Sequence, residues 1–89
     1  MTKDYSDKMV YMPGLKLERS DFKTNLAYYR NDKRITQAAL AERSGVSLRT
    51  LQDYEQGRKP INGAAALTVY RIAQELGVTV EDLLELESN

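Results

Sequence analysis

Between the helical pattern that ends at Ser44 and the helix cap at Ser47, the chain has only Gly45 and Val46 to turn with. Two helices joined by so short a link must cross steeply, because neither has room to run back alongside the other. The crossing demands a small residue where the backbones approach and a permissive one at the turn, and Ala41 and Gly45 stand at those places. Leu40, Val46, Leu51 and Tyr54 supply the apolar contacts that set the angle between the two helices. Start and stop signals on either side extend the pattern. Phe22, Leu26 and Tyr29 recur at i, i+4 and i+7, which predicts a first helix from Phe22 to about Asn31, capped by Ser20 or Asp21. Thr36 caps a second helix from Gln37 to about Ser44, and Ser47 caps a third from Leu48 to Gln56 that stops at Gly57 before Pro60. Val69, Ile72, Ala73 and Leu76 form one stripe of a fourth, Ala64 to Leu76, ended by Gly77. Thr79 caps a last short helix through about Leu86.

One device recurs at three of these starts. Ile35 with Leu40, Val46 with Leu51, and Val78 with Leu83 each set an apolar residue just before the cap against one inside the helix, the hydrophobic staple. No segment alternates like a strand, and no internal repeat or low-complexity tract occurs, so the expected fold is all-α, five helices around one core. Eighty-nine residues leave no material for a second core. The expected organisation is an N-terminal arm over residues 1–19, broken by Pro13-Gly14, and one domain over residues 20–87. Leu15 and Leu17 are candidates to dock the arm on the core. Met1 and the polar end Glu87-Ser88-Asn89 read as the ends of a whole chain rather than of a fragment.

The chain has no Cys and no His, which removes disulfides, thiolate or imidazole metal ligands, and the bases of Cys-His or Ser-His-Asp chemistry. A non-enzyme without metal or cofactor is expected. The carboxylates Glu75, Glu81, Asp82, Glu85 and Glu87 lie around short helices with no cleft implied and read as a solvated face. With no apolar run near the ~18 residues of a membrane span and a charged start, no membrane role and a cytoplasmic location are expected. Thirteen Lys+Arg offset thirteen Asp+Glu, yet the charges are not mixed evenly. Residues 16–60 hold ten basic against six acidic residues, a local +4, and residues 61–89 hold one against five, a local −4. Such a molecule can present one side to phosphate despite zero net charge.

The stretch Gln37 to Tyr54, QAALAERSGVSLRTLQDY, resembles the helix-turn-helix of the phage-repressor and Cro type, the Xre family of bacterial regulators. Gln37 opens the motif, with Ala41 fifth, Gly45 ninth, Leu51 fifteenth and Tyr54 eighteenth, and the resemblance extends from about Phe22 to Leu84. It implies a five-helix repressor-like domain that binds double-stranded DNA, with the helix at 48–56 in the major groove. On a helical wheel Leu51, Tyr54 and Glu55 point inward, while Arg49, Gln52, Asp53 and Gln56 share the outer face. The resemblance makes Leu48, Arg49, Thr50 and Asp53 the candidate base readers. An Arg fork suits guanine O6 and N7, and a carboxylate can accept from cytosine N4. Arg49 and Asp53 are also spaced as an i, i+4 ion pair of about 0.5 kcal/mol, and such a pair can aim the guanidinium. Gln37, Gln56, Arg58 and Lys59 match the positions that hold phosphate in the family, although the chain carries about one extra turn, Asn62 to Ala66, beyond the shortest phage repressors.

Glu55 faces inward, and a buried carboxylate requires a partner. Arg30 matches the family position that forms a buried salt bridge with it. The implied function is a sequence-specific transcriptional regulator, most simply a repressor, acting as a homodimer on a palindromic operator. The alternative is a protein-interaction module on the same scaffold, such as an antitoxin-like partner that binds another protein through the apolar arm, Met9 to Leu17.

Overall fold

A computed structural model describes residues 16–86. Their order is a 3-10 turn (Arg19–Asp21), α1 (Asn25–Lys33), α2 (Gln37–Ser44), α3 (Leu48–Gln56), a second 3-10 turn (Ile61–Gly63), α4 (Ala66–Leu76) and α5 (Val80–Leu83). No strand occurs among them, and the all-helical expectation holds. Most of the arm, including Met9 to Met12 and Leu15, lies outside the described residues; Leu17 is half-buried.

Three helix starts form as their local signals require. The Thr36, Ser47 and Thr79 hydroxyls accept from the backbone N–H of Ala39, Thr50 and Asp82, filling a donor that the first turn otherwise leaves open. Asp82 completes a capping box at Thr79 by accepting from the Thr79 N–H at 3.0 Å. The inner members of the three staples, Leu40, Leu51 and Leu83, are fully buried, with Ile35 beside them and Val46 and Val78 packed against the core. Leu26 and Ile72 complete its centre, and the stripe Val69, Ile72, Ala73 and Leu76 of α4 faces inward throughout. Each large aliphatic side chain so buried contributes roughly 1.5–3 kcal/mol.

Three boundaries depart from the periodicity. First, α1 begins at Asn25 and runs to Lys33, capped by Thr24 rather than by Ser20 or Asp21. Phe22 stands outside it in an extended conformation, its ring 5.9 Å from that of Tyr28. Thr24 is chosen because its hydroxyl satisfies two partners at once: it accepts from Ala27 N–H at 3.2 Å and donates to the Glu55 carbonyl of α3 at 3.0 Å. Second, α4 starts two residues late, after the turn Ile61–Gly63. Ile61 is buried, which draws this turn into the core, while the Asn62 amide is held by the backbone N–H and C=O of Glu85. Third, α5 stops at Leu83, well short of Leu86, because Glu85 leaves the helix to accept from the Asn25 N–H at 2.6 Å. Arg19, assigned by sequence to the arm, donates to Asn25 and to the Phe22 carbonyl and ion-pairs with Glu85 at 3.5 Å.

The turn between α2 and α3 rests on Gly45, whose φ of +77° lies in the left-handed region that a side chain disfavours. The crossing itself is not tight there: a Cβ at this position would meet the Arg71 guanidinium at 3.7 Å, an ordinary contact. A Cβ alone therefore adds no crowding there. Gly45→Val is expected to cost roughly 1–3 kcal/mol through backbone strain at the positive φ, with Gly45→Ala at the low end. Thermal melts should show both below the wild type and in that order; equal melting temperatures for all three would exclude a strained turn.

Candidate nucleic-acid interface

The outer half of α3 begins with three exposed residues, Ser47, Leu48 and Arg49, followed by half-buried Thr50. Ser47 holds this end in shape, accepting from the Thr50 N–H at 3.0 Å and donating to the Thr50 hydroxyl at 2.8 Å. Leu48 is 42% exposed, an aliphatic side chain left in water on a helix whose other large apolar residue, Leu51, is fully buried. Arg49 is the most open of the candidate readers, its side chain 82% exposed.

Asp53 differs from the solvent-facing position that the helical wheel assigns it. The residue is only 8% exposed, and its Oδ1 accepts from Arg58 Nε at 2.9 Å while lying 3.6 Å from Arg49 Nε. The loop after α3 folds back across the helix end, so a neighbour five residues away covers a side chain that α3 alone would leave open. The Arg58 hydrogen bond, with the charges of Arg58, Arg49 and Lys59, outweighs desolvation and lowers the Asp53 proton affinity below the ordinary carboxylate value. Its share of stability is thus present at neutral pH and is lost only as pH falls through that lowered value.

The candidate phosphate-holding residues separate into two groups. Gln56, Arg58 and Lys59 are exposed. Gln37 is buried, its side-chain amide spent within the protein: Nε2 donates to Glu55 Oε1 at 3.0 Å, and Oε1 accepts from Gln52 Nε2 at 3.3 Å. Only its backbone remains for an anion, since the Gln37 and Ala38 amides at the start of α2 have no intrahelical acceptor. Lys23 escaped the sequence reading. Its Cε comes within 3.6 Å of where a Cβ at Gly57 would stand, which brings a third cation to the end of α3 that carries Arg58 and Lys59. Thirty-odd residues separate Lys23 from that loop, and no spacing rule connects them.

Beneath this surface, Glu55 and Arg30 form the buried bridge. Arg30 Nε donates to Glu55 Oε2, its NH2 to Oε1 at 3.0 Å, and its NH1 to the Ile35 carbonyl at 2.8 Å. Both residues are almost wholly inaccessible. With Gln37 on Oε1 and Thr24 on the Glu55 carbonyl, one residue of α3 joins α1 and the start of α2. Ala41 and Leu51 are buried where the two motif helices meet, and Tyr54 packs half-buried against the core. The exposed start of α3 is therefore carried on a rigid frame.

Two helices joined across Gly45 to Ser47, with the start of the second exposed beside a cationic loop, define a DNA-binding helix-turn-helix protein. The chain belongs to the helix-turn-helix family HTH_3, whose model matches residues 26–83. It is 36% identical over 61 residues, 68% of this chain and 75% of the relative, to the "Uncharacterized HTH-type transcriptional regulator y4dJ" of Sinorhizobium fredii (strain NBRC 101917 / NGR234). Among solved structures it is similar to the clp gene regulator ClgR from Corynebacterium glutamicum, with a TM-score of 0.59 and 34% identity. That match covers 66% of this chain and 60% of the ClgR chain. The family and these relatives place the chain among DNA-binding regulators of transcription.

Proposed function

We propose that the protein reads a specific duplex sequence by placing the start of α3 in the major groove, and that it represses transcription by covering a promoter. The observation that carries this reading is the exposure of Leu48 and Arg49 at the start of a helix whose opposite side is anchored by the Arg30–Glu55 bridge. Direct readout needs side chains held to within a fraction of an ångström, and a buried bidentate bridge supplies that frame. Arg49 suits a guanine edge, Leu48 a thymine methyl, and Thr50 either a base edge or the sugar-phosphate backbone. Arg58, Lys59 and Gln56, with the α2 backbone amides next to Gln37, hold phosphate and set orientation.

One such helix reads only a few base pairs, so the protein acts as a homodimer on a palindrome with half-sites about 34 Å apart. Among the described residues no helix is long and apolar enough to cross a membrane, and a regulator of this class works in the cytoplasm.

The test selects a binding site from random duplexes and titrates variants against it and a scrambled control. Arg49→Ala should cost about 1–3 kcal/mol per half-site on the selected site, relax selectivity at the same base position of both half-sites and leave binding to scrambled DNA almost unchanged. Lys59→Ala should weaken both DNAs about equally and reduce the slope of log affinity against log salt by about 2, one phosphate contact being lost from each protomer. Equal weakening of both DNAs by Arg49→Ala would make Arg49 a phosphate contact instead of a reader. A wild type that selects no sequence would overturn the reading altogether.

A further inference from the structure

Asp53 is the busiest acceptor on the DNA-facing side of α3, and both groups on its Oδ1 are arginine Nε atoms, from Arg58 at 2.9 Å and Arg49 at 3.6 Å. Its backbone carbonyl also accepts from the amides of Arg58 at 2.9 Å and Lys59 at 3.2 Å. One residue thereby gathers the loop backbone and the side chains on either side of it. Engagement through Nε matters, because Nε is the inner nitrogen of the guanidinium. The terminal amino groups of Arg58 bond no described residue. Those ends form the fork that fits phosphate oxygens or a guanine edge.

Resting on the DNA-binding reading above, we propose that Asp53 is a positioning residue that holds Arg58 by its inner nitrogen so that the terminal fork faces the duplex, with Arg49 only in charge-pair range, and that it does not itself read a base. Both arginine nitrogens lie on Oδ1, so a cytosine amino group would have to reach the other oxygen of a residue that is only 8% exposed and lies behind the two guanidinium groups. Removing Asp53 would leave the long Arg58 side chain to be ordered at each binding event, a cost that pre-organisation avoids. Because Asp53 is nearly covered while both arginines are largely exposed, its negative charge is presented to the duplex behind two positive ones.

The test compares D53N with D53A, alone and in an R58A background, on the selected duplex, on its single-base variants and on a scrambled duplex. Both substitutions remove the negative charge, so its repulsion of phosphate cancels in the comparison. Only D53N keeps an oxygen that can accept from Arg58 Nε. D53N is expected to bind all duplexes about 3- to 10-fold more tightly than D53A, with the difference gone in R58A. In the free protein, the Arg58 Nε–H resonance should exchange slowly with water in wild type and D53N and quickly in D53A. Circular dichroism checks folding, and D53S, too short to reach Arg58, replaces D53A should the latter not fold. Equal affinities for D53N and D53A, or a difference that survives in R58A, would overturn the positioning role. A difference confined to one base pair would overturn it too and make Asp53 a reader. A wild type that binds no duplex is distinguishable from all of these and removes the DNA-binding reading with the proposal, even if the Nε–H signal persists.

Discussion

Glu55→Ala is expected to cost about 3–5 kcal/mol, because it leaves the Arg30 guanidinium fully buried with no countercharge. The loss is roughly a fifth or more of the stability of a typical small domain, and for a chain of this size it should lower the melting temperature by more than about 10 °C. Three hydrogen bonds to the carboxylate are lost together, two from Arg30 and one from Gln37. Arg30 would keep only the Ile35 carbonyl as a partner, and Gln37 Nε2 would lose its acceptor at the same time. The pair as a whole need not stabilise the fold, since desolvating two charges offsets most of their attraction. Replacing both by apolar residues of similar size, as in Arg30→Met with Glu55→Leu, should therefore recover much of the stability lost in the single variant. What that double variant should not recover is selective DNA binding, because the bidentate bridge holds α3 in register with α1 and α2. Urea unfolding of the two variants beside the wild type decides it. A Glu55→Ala protein that melts within a degree or two of wild type would mean that the side chain relaxes to water and that the bridge holds nothing in place.

DNA affinity is expected to fall by roughly 100- to 1,000-fold between 50 and 200 mM salt, although the chain carries no net charge. Counterion release depends on the phosphates neutralised and is blind to the protein's total charge. Lys23, Arg58 and Lys59 cluster at one end of α3, whereas the acidic residues 75–87 belong to the other half of the sequence. Two protomers that each neutralise two or three phosphates give a slope of log affinity against log salt of about −4 to −5, which corresponds to the stated range. Fluorescence anisotropy over that salt range measures it directly. A flat dependence would exclude a phosphate-facing surface and favour a protein partner as the target of the domain.

How much of this was legible in the chain can be judged element by element. The second and third helices were readable to the residue, because what starts and stops them is local. Thr36 and Ser47 bond N–H groups three residues ahead, and Gly45 and Gly57 adopt left-handed turns that need no distant partner. The inward placement of Glu55 followed from the helical wheel, and Arg30 as its partner from the family resemblance. The start of α1, the end of α5 and the burial of Asp53 were not readable in the same way. Each is decided by a side chain brought near only by folding: Glu55 through its carbonyl selects Thr24 as the cap, the α1 N-terminus draws Glu85 out of α5, and Arg58 covers Asp53. Local hydrogen bonds, caps and staples thus determined the helix-turn-helix itself from sequence alone. The tertiary structure decided which polar groups on that frame remain open to a ligand, because a buried donor or acceptor must find its partner wherever the packed chain supplies one.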